Sequence, residues 1–298
     1  MKETIETREL ILLDGLDVAI RGTYHKTYTD NLVSQANLTK RDRIGVLFLN
    51  SLSPTRAADG DSAVYWAKSF AELGYPSFRL DLPGFGDSEG DPPAESLGFI
   101  NQGGYASITS AKIRELVTRF NLSGVVVVGH YAGGVSALYA AATCPECKGL
   151  VLMDPYFRRM QPVKQAMRQQ RNEGMLHSSR RPSSNIHDPL KEIRLFLAGT
   201  VPPENANHPR LRRWKEVAST GLPILILKAS NGKAQSIKPG IDELDYFEYV
   251  LGLAGRRSRV VIKVLDCVDR SFASRMGRAT VRQRTEQWLN ACFPLMKH

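Results

Sequence analysis

Apolar residues fall along this chain in short runs, separated by stretches whose apolar positions recur at helical spacing. Residues 6–13 and 18–24 alternate as two strands joined at Asp14 and Gly15, a predicted hairpin. A polar stretch follows from 26 to 43, and 44–50 is a continuous apolar strand. Val64, Ala67, Phe70 and Ala71 mark a helix over 62–73, and a strand over 77–81 runs into Leu82-Pro83-Gly84-Phe85-Gly86-Asp87-Ser88-Glu89-Gly90, which demands turns. A helix over 108–120 precedes Gly124-Val-Val-Val-Val-Gly129, whose β-branched residues suit a central strand buried on both faces. A helix over 132–142, strands at 149–154, 222–229 and 259–265, and helices at 242–253 and 281–292 complete the pattern. This alternation predicts an α/β fold, a mostly parallel central sheet with helices on both faces.

The alternation lapses over residues 156–219, where helical pieces are broken around 182–185 and 201–209. Both ends of this segment must return to one sheet, so it reads as a small helical cap. The predicted core is then 1–155 with 220–298. Charge sharpens the division. The 298-residue chain carries a formal +10, and residues 158–215 hold thirteen basic against four acidic residues, nine of those ten charges. A basic cap suits either a solvated, salt-bridged face or steering of a small anionic ligand. No zinc finger, recognition helix or aromatic RNA-binding motif accompanies the arginines, so dedicated nucleic-acid binding is not expected. No run approaches the roughly twenty apolar residues of a membrane span, and MKETIETREL lacks a secretory signal's apolar core, which makes a cytoplasmic protein the expectation. Four cysteines are too few for a disulfide scaffold. Cys144-Pro-Glu-Cys147 has redox or half-metal spacing but no second pair follows it, so neither a metal nor a cofactor is expected.

Chemistry concentrates at Val128-Gly129-His130-Tyr131-Ala132-Gly133-Gly134. Small residues two before and two after Tyr131 allow a strand to turn sharply into a helix, lifting that side chain above the sheet beside helix N-terminal amides. With the Asp81–Gly90 turn, the GLVLMDP strand and the closing strands and helix, the sequence resembles the α/β-hydrolase superfamily over nearly the whole chain, apart from the first forty residues and the cap. The resemblance implies a nucleophile at 131, a catalytic histidine in the loop after the last strand, and an acid after the penultimate one.

This chain departs from that pattern at each place. The elbow holds Tyr131, a phenol with an ordinary pKa near ten, which an imidazole does not activate as it does serine. The histidine position of a D-H-S/T-F string falls in Asp269-Arg270-Ser271-Phe272, and a guanidinium is no general base. Residues 230–235 contain no carboxylate, while Asp154 occupies an alternative acid position used by some members. His130, common before the elbow in the family, packs beside it there. Backbone amides of Ala132, Ser51 and Leu52 remain candidates for holding an anionic oxygen.

Tyr131 is open to three roles: a catalytic acid, a hydrogen-bonding ligand contact, or a plug closing the pocket. A nearby Arg270 would favour phenolate and lower the tyrosine pKa, and a cation–π contact between the two is the alternative. Arg56, Asp59 and Asp61 lie in the loop above the presumed site, where they either touch ligand or form a salt-bridged hinge. Asp87 reads as a backbone cap, Cys267 as a relocated nucleophile or an inert thiol, and His177, His187 and His208 as solvated cap residues or groups delivered by it. The expected function is a non-standard α/β-hydrolase-like protein binding a small anionic or acyl-bearing ligand or a partner. Its alternative is a hydrolase, acyltransferase or lyase-like enzyme built around Tyr131 and Arg270. Monomer and homodimer are not distinguished.

Overall fold

The computed structural model of the protein describes residues 7–13, 18–28, 30, 43–49, 55–157, 206–230, 249–255, 257–266 and 268–295. Eight strands form one sheet: β1 (Arg8–Leu13), β2 (Ile20–His25), β3 (Ile44–Leu49), β4 (Ser77–Leu80), β5 (Gly124–His130), β6 (Cys147–Met153), β7 (Pro223–Ser230) and β8 (Arg259–Asp266), in the order β1-β2-β4-β3-β5-β6-β7-β8. β1 and β2 form the antiparallel hairpin at one edge, with Leu13 opposite Ile20, and β2 also pairs antiparallel with β4. All remaining pairings are parallel.

Alternation along the strands divides the core in two, because successive side chains leave opposite faces of a sheet. Leu47, Leu49, Val125 and Val127 join one cluster, while Val46, Phe48, Val126 and Val128 join the other. On the second face pack α1 (Ser62–Glu72), through Trp66 and Phe70, and α6 (Arg275–Cys292), through Val281, Trp288 and Leu289. On the first lie α3 (Ala106–Arg119), α4 (Ala132–Ala141) and α5 (His208–Ser219), while the short α2 (Ser96–Asn101) packs on α4. α2 interrupts what reads in sequence as a connection rich in glycine and proline. α6 begins six residues earlier than its apolar spacing implies, where Ser274 caps the Gly277 amide at 3.0 Å.

α5 falls inside the span assigned to the cap, yet Leu211, Trp214, Val217 and Ala218 are buried in the main core. Its basic sequence conceals this, because Arg210 is only 1% exposed and reaches back to the Tyr156 carbonyl and the Asn101 side chain. Residues 158–205, with His177 and His187, lie outside the described residues, as do Asp14, Gly15, residues 231–248 and Cys267. Among the described residues no helix is long and apolar enough to cross a membrane.

The turn 81–90 is wrapped around one carboxylate. Asp81, with a 2% exposed side chain, accepts from the Asp87 amide at 3.2 Å and from Arg56 at 2.5 Å. Gly86 has φ 57°, and a Cβ there would stand 2.3 Å from the Asp81 carboxyl carbon, so position 86 admits no side chain.

Candidate functional site

β5, β6 and β7 end side by side, and three residues at this rim hold backbone that non-glycine residues rarely adopt: Tyr131 at φ 45°, Asp154 at φ 47° and Phe272 at φ 55°. Tyr131 is the N-cap of α4, with ψ −108°, which is the sharp strand-to-helix elbow expected from the glycine spacing. The close approach, however, is between Gly129 and Gly134. A Cβ on Gly129 would lie 2.5 Å from Gly134 Cα and 2.6 Å from the Gly133 carbonyl oxygen. Glycine at 129 therefore lets α4 start directly against β5. Ala132 opens α4, where first-turn amides have no acceptor within the helix.

Side chains from two strand ends and one loop converge on Asp154, whose side chain is 2% exposed. The Tyr131 hydroxyl donates to Oδ2 at 3.3 Å, Arg270 Nε lies 3.4 Å from the same oxygen, and Lys228 Nζ forms an ion pair with Oδ1 at 2.7 Å. Lys228 projects from the apolar strand PILILKAS; its signal in the sequence is a single charge inside such a run, and sequence reasoning passed over it. Two cationic side chains thus stand against this one carboxylate.

Tyr131 does not titrate as the expected Arg270 pairing implies. Burial and the Asp154 charge push its phenol up to about 12, and they outweigh the Arg270 guanidinium, which pulls the other way through its charge and a hydrogen bond. The tyrosine is a neutral donor at ordinary pH. Asp154, in the alternative acid position, accepts from the phenol and fixes it.

Arg270 is held by local turn chemistry. Asp269 Oδ1 accepts from the Ser271 amide at 2.8 Å and from its hydroxyl, and these bonds hold the Asp269 carboxyl below its usual range. Phe272 is fully buried beneath. The His130 ring lies 4.4 Å from the Tyr131 ring and meets Phe272 edge-on at 5.4 Å, and its Nε2 is 2.9 Å from the Arg270 carbonyl oxygen.

Arg56 belongs to a different cluster. It binds Asp81, Asp87 at 2.7 Å and Thr23 at 3.0 Å, and its carbonyl accepts from Arg79 at 3.1 Å. Arg56 is thus salt-bridged, and it engages the Asp87 carboxylate that was expected to cap backbone. Asp59 and Asp61 form an exposed helical turn before α1, and His208 is exposed at the start of α5. Ser51 and Leu52 lie outside the described residues. The Cys144 and Cys147 thiols are buried and pushed up to about 11 and about 12, which keeps them protonated. Among the described residues no group of three or more His, Cys, Asp or Glu is placed to hold a metal ion.

A family described as alpha/beta hydrolase fold matches residues 53–181. No curated protein is a significant match by sequence. Among solved structures, an esterase of Pyrococcus furiosus is similar with TM-score 0.57 at 12% identity, over 96% of this chain and 91% of its own. The thioesterase domain from the curacin biosynthetic pathway is similar at TM-score 0.54 and 14% identity, over 95% and 100%. A variant N-acyl homoserine lactonase complexed with N-hexanoyl homoserine is similar at TM-score 0.52 and 15% identity, over 98% and 100%. The eight-stranded sheet, the elbow between β5 and α4 and the family match across both show that this chain has the α/β-hydrolase fold.

Proposed function

We propose that the rim above β5, β6 and β7 binds a small acyl ligand bearing an anionic group, and that it does so without Ser-His-acid hydrolysis. The observation that carries this is the Asp154 cluster, where two cationic side chains, Lys228 and Arg270, meet the elbow phenol at the rim, a setting whose chemistry suits a ligand anion. The elbow side chain is a phenol pushed up to about 12, which supplies a neutral hydrogen-bonding group and very little phenolate at neutral pH. In a triad the residue at 270 would take a proton from the nucleophile; a guanidinium holds its own. The acyl part of the ligand is drawn from the esterase, thioesterase and lactonase whose folds this chain shares.

The test pairs turnover with binding. A panel of nitrophenyl esters, thioesters and lactones is expected to show no turnover that depends on Tyr131, while calorimetry shows saturable binding of octanoate that weakens in Lys228→Met and Arg270→Gln. Ester turnover present in the wild type and lost in Tyr131→Phe would instead establish an enzyme with a rearranged site around Tyr131 and Arg270.

A further inference from the structure

The hydroxyl of Tyr131 has a direction, and that direction selects among ligands. A phenol offers one proton and two lone pairs. Its proton is given to Asp154 Oδ2, and the Lys228 ion pair on Oδ1 and the Arg270 contact on Oδ2 hold that carboxylate in place as an acceptor. The buried carboxylate, 2% exposed, sits at the end of β6 with its amide bonded to the Leu227 carbonyl at 2.8 Å, so it does not swing away to release the proton. One lone pair faces the Arg270 guanidinium. With those two partners among the described residues, the half-buried phenol oxygen retains a second lone pair for a further donor, and no proton to give.

We infer that Tyr131 is a specificity-determining hydrogen-bond acceptor, and that the site selects an acyl carboxylate carrying a hydroxyl or amide N–H donor beside its anionic group. The inference rests on the ligand class proposed above and narrows it. A ketone or ester oxygen at the same point meets another oxygen's lone pair, with the only proton turned inward to Asp154. A donor at that point completes the phenol's hydrogen bonding. Discrimination of this kind follows when one arrangement leaves polar groups unpaired and the other satisfies them. Lys228 acts as a positioning residue in this scheme, because its ammonium fixes the carboxylate that holds the phenol proton.

The experiment is calorimetric binding of three probes, octanoate, its β-hydroxy derivative and its β-keto derivative, to the wild type, Tyr131→Phe and Lys228→Met. In the wild type the hydroxy acid is expected to bind about five- to tenfold more tightly than the keto acid, the worth of one hydrogen bond. Tyr131→Phe brings the two to parity while octanoate still binds, and Lys228→Met narrows the preference as the phenol is freed to rotate. Octanoate binding that responds to Arg270→Gln, with the keto acid equal to or tighter than the hydroxy acid in the wild type, overturns this inference and leaves the ligand class standing. Binding of none of the three probes, or octanoate binding unchanged in both Lys228→Met and Arg270→Gln, overturns the ligand class and the inference with it.

Discussion

His130 Nε2 stands 2.9 Å from the carbonyl oxygen of Arg270, tying the residue before the elbow to the loop that carries the guanidinium. A carbonyl only accepts, so Nε2 bears the proton and, in the neutral ring, Nδ1 bears the lone pair. Burial holds the His130 pKa below its ordinary value against the opposing pull of that carbonyl and of Asp154. In ¹⁵N NMR the His130 ring is expected to stay in the Nε2–H form across the neutral range. A His130 midpoint at or above the ordinary imidazole value of about 6.5 contradicts this reading.

The Tyr131 phenol is expected to ionise well above ordinary tyrosines. In absorbance titrations compared against Tyr131→Phe, Arg270→Ala moves its midpoint further up and Asp154→Asn moves it down, since the guanidinium lowers and the carboxylate raises it. With the folded pKa above the unfolded value, the stabilisation from this group is complete below about pH 10 and fades as pH rises toward about 12.

Arg56 and Asp87 separate buried from exposed ion pairing. Removing the guanidinium in Arg56→Leu strands the 2% exposed Asp81 carboxylate and should cost about 3–5 kcal/mol. Asp87→Asn touches a carboxylate that is 66% exposed and should cost at most about 1 kcal/mol. Urea unfolding midpoints of the two variants check the contrast; equal losses would contradict it.

Acid should destabilise the fold through His25. Its ring is 1% exposed, its Nε2 accepts from Arg79 Nε at 3.0 Å, and burial, then the Arg79 charge, lowers its pKa to about 3. A depressed pKa gives stability that is present above the unfolded value and lost as pH falls, so the decline begins below about pH 6.5 and reaches on the order of a few kcal/mol. His25→Gln retains an acceptor for Arg79 without a titrating ring. Its thermal midpoint is expected to fall less between neutral pH and about pH 5, and a decline as steep as the wild type's would remove His25 as the cause.

Trp214 tests where α5 belongs. Its ring is fully buried against Phe157 at 5.4 Å, and its Nε1 donates to the Val250 carbonyl at 2.6 Å. Trp214→Ala should destabilise the whole domain by about 3–5 kcal/mol in a single cooperative transition. A separate early transition that spares the rest would show α5 to be detachable.

Much of this architecture is legible in the chain because local pattern and burial agree. The valine run of β5, doubly buried, reads directly as a central strand, and the glycines flanking Tyr131 announce the elbow whatever stands between them. Tyr131, Asp154 and Arg270 are found by their places after strands. Lys228 is not, because a lysine near a strand end usually reaches solvent, and only the neighbouring strand reveals the carboxylate it meets. Arg210 misleads for the same reason: its acceptors, Asn101 and Tyr156, are distant in sequence, so a buried guanidinium counts as surface charge. The direction of the Tyr131 pKa shift was likewise hidden, since it turns on burial and on Asp154 outweighing the cation that the loop sequence does display.

The contact between Gly129 and Gly134 has a consequence for descent. It bends β5 into α4 through backbone alone, and the left-handed conformation at 131 falls equally on any L residue placed there. A lineage can thus exchange the side chain at this point by a single codon change without rebuilding the scaffold around it. Shape and chemistry are heritable here as separate characters, and a tyrosine can inherit a seat made for another residue.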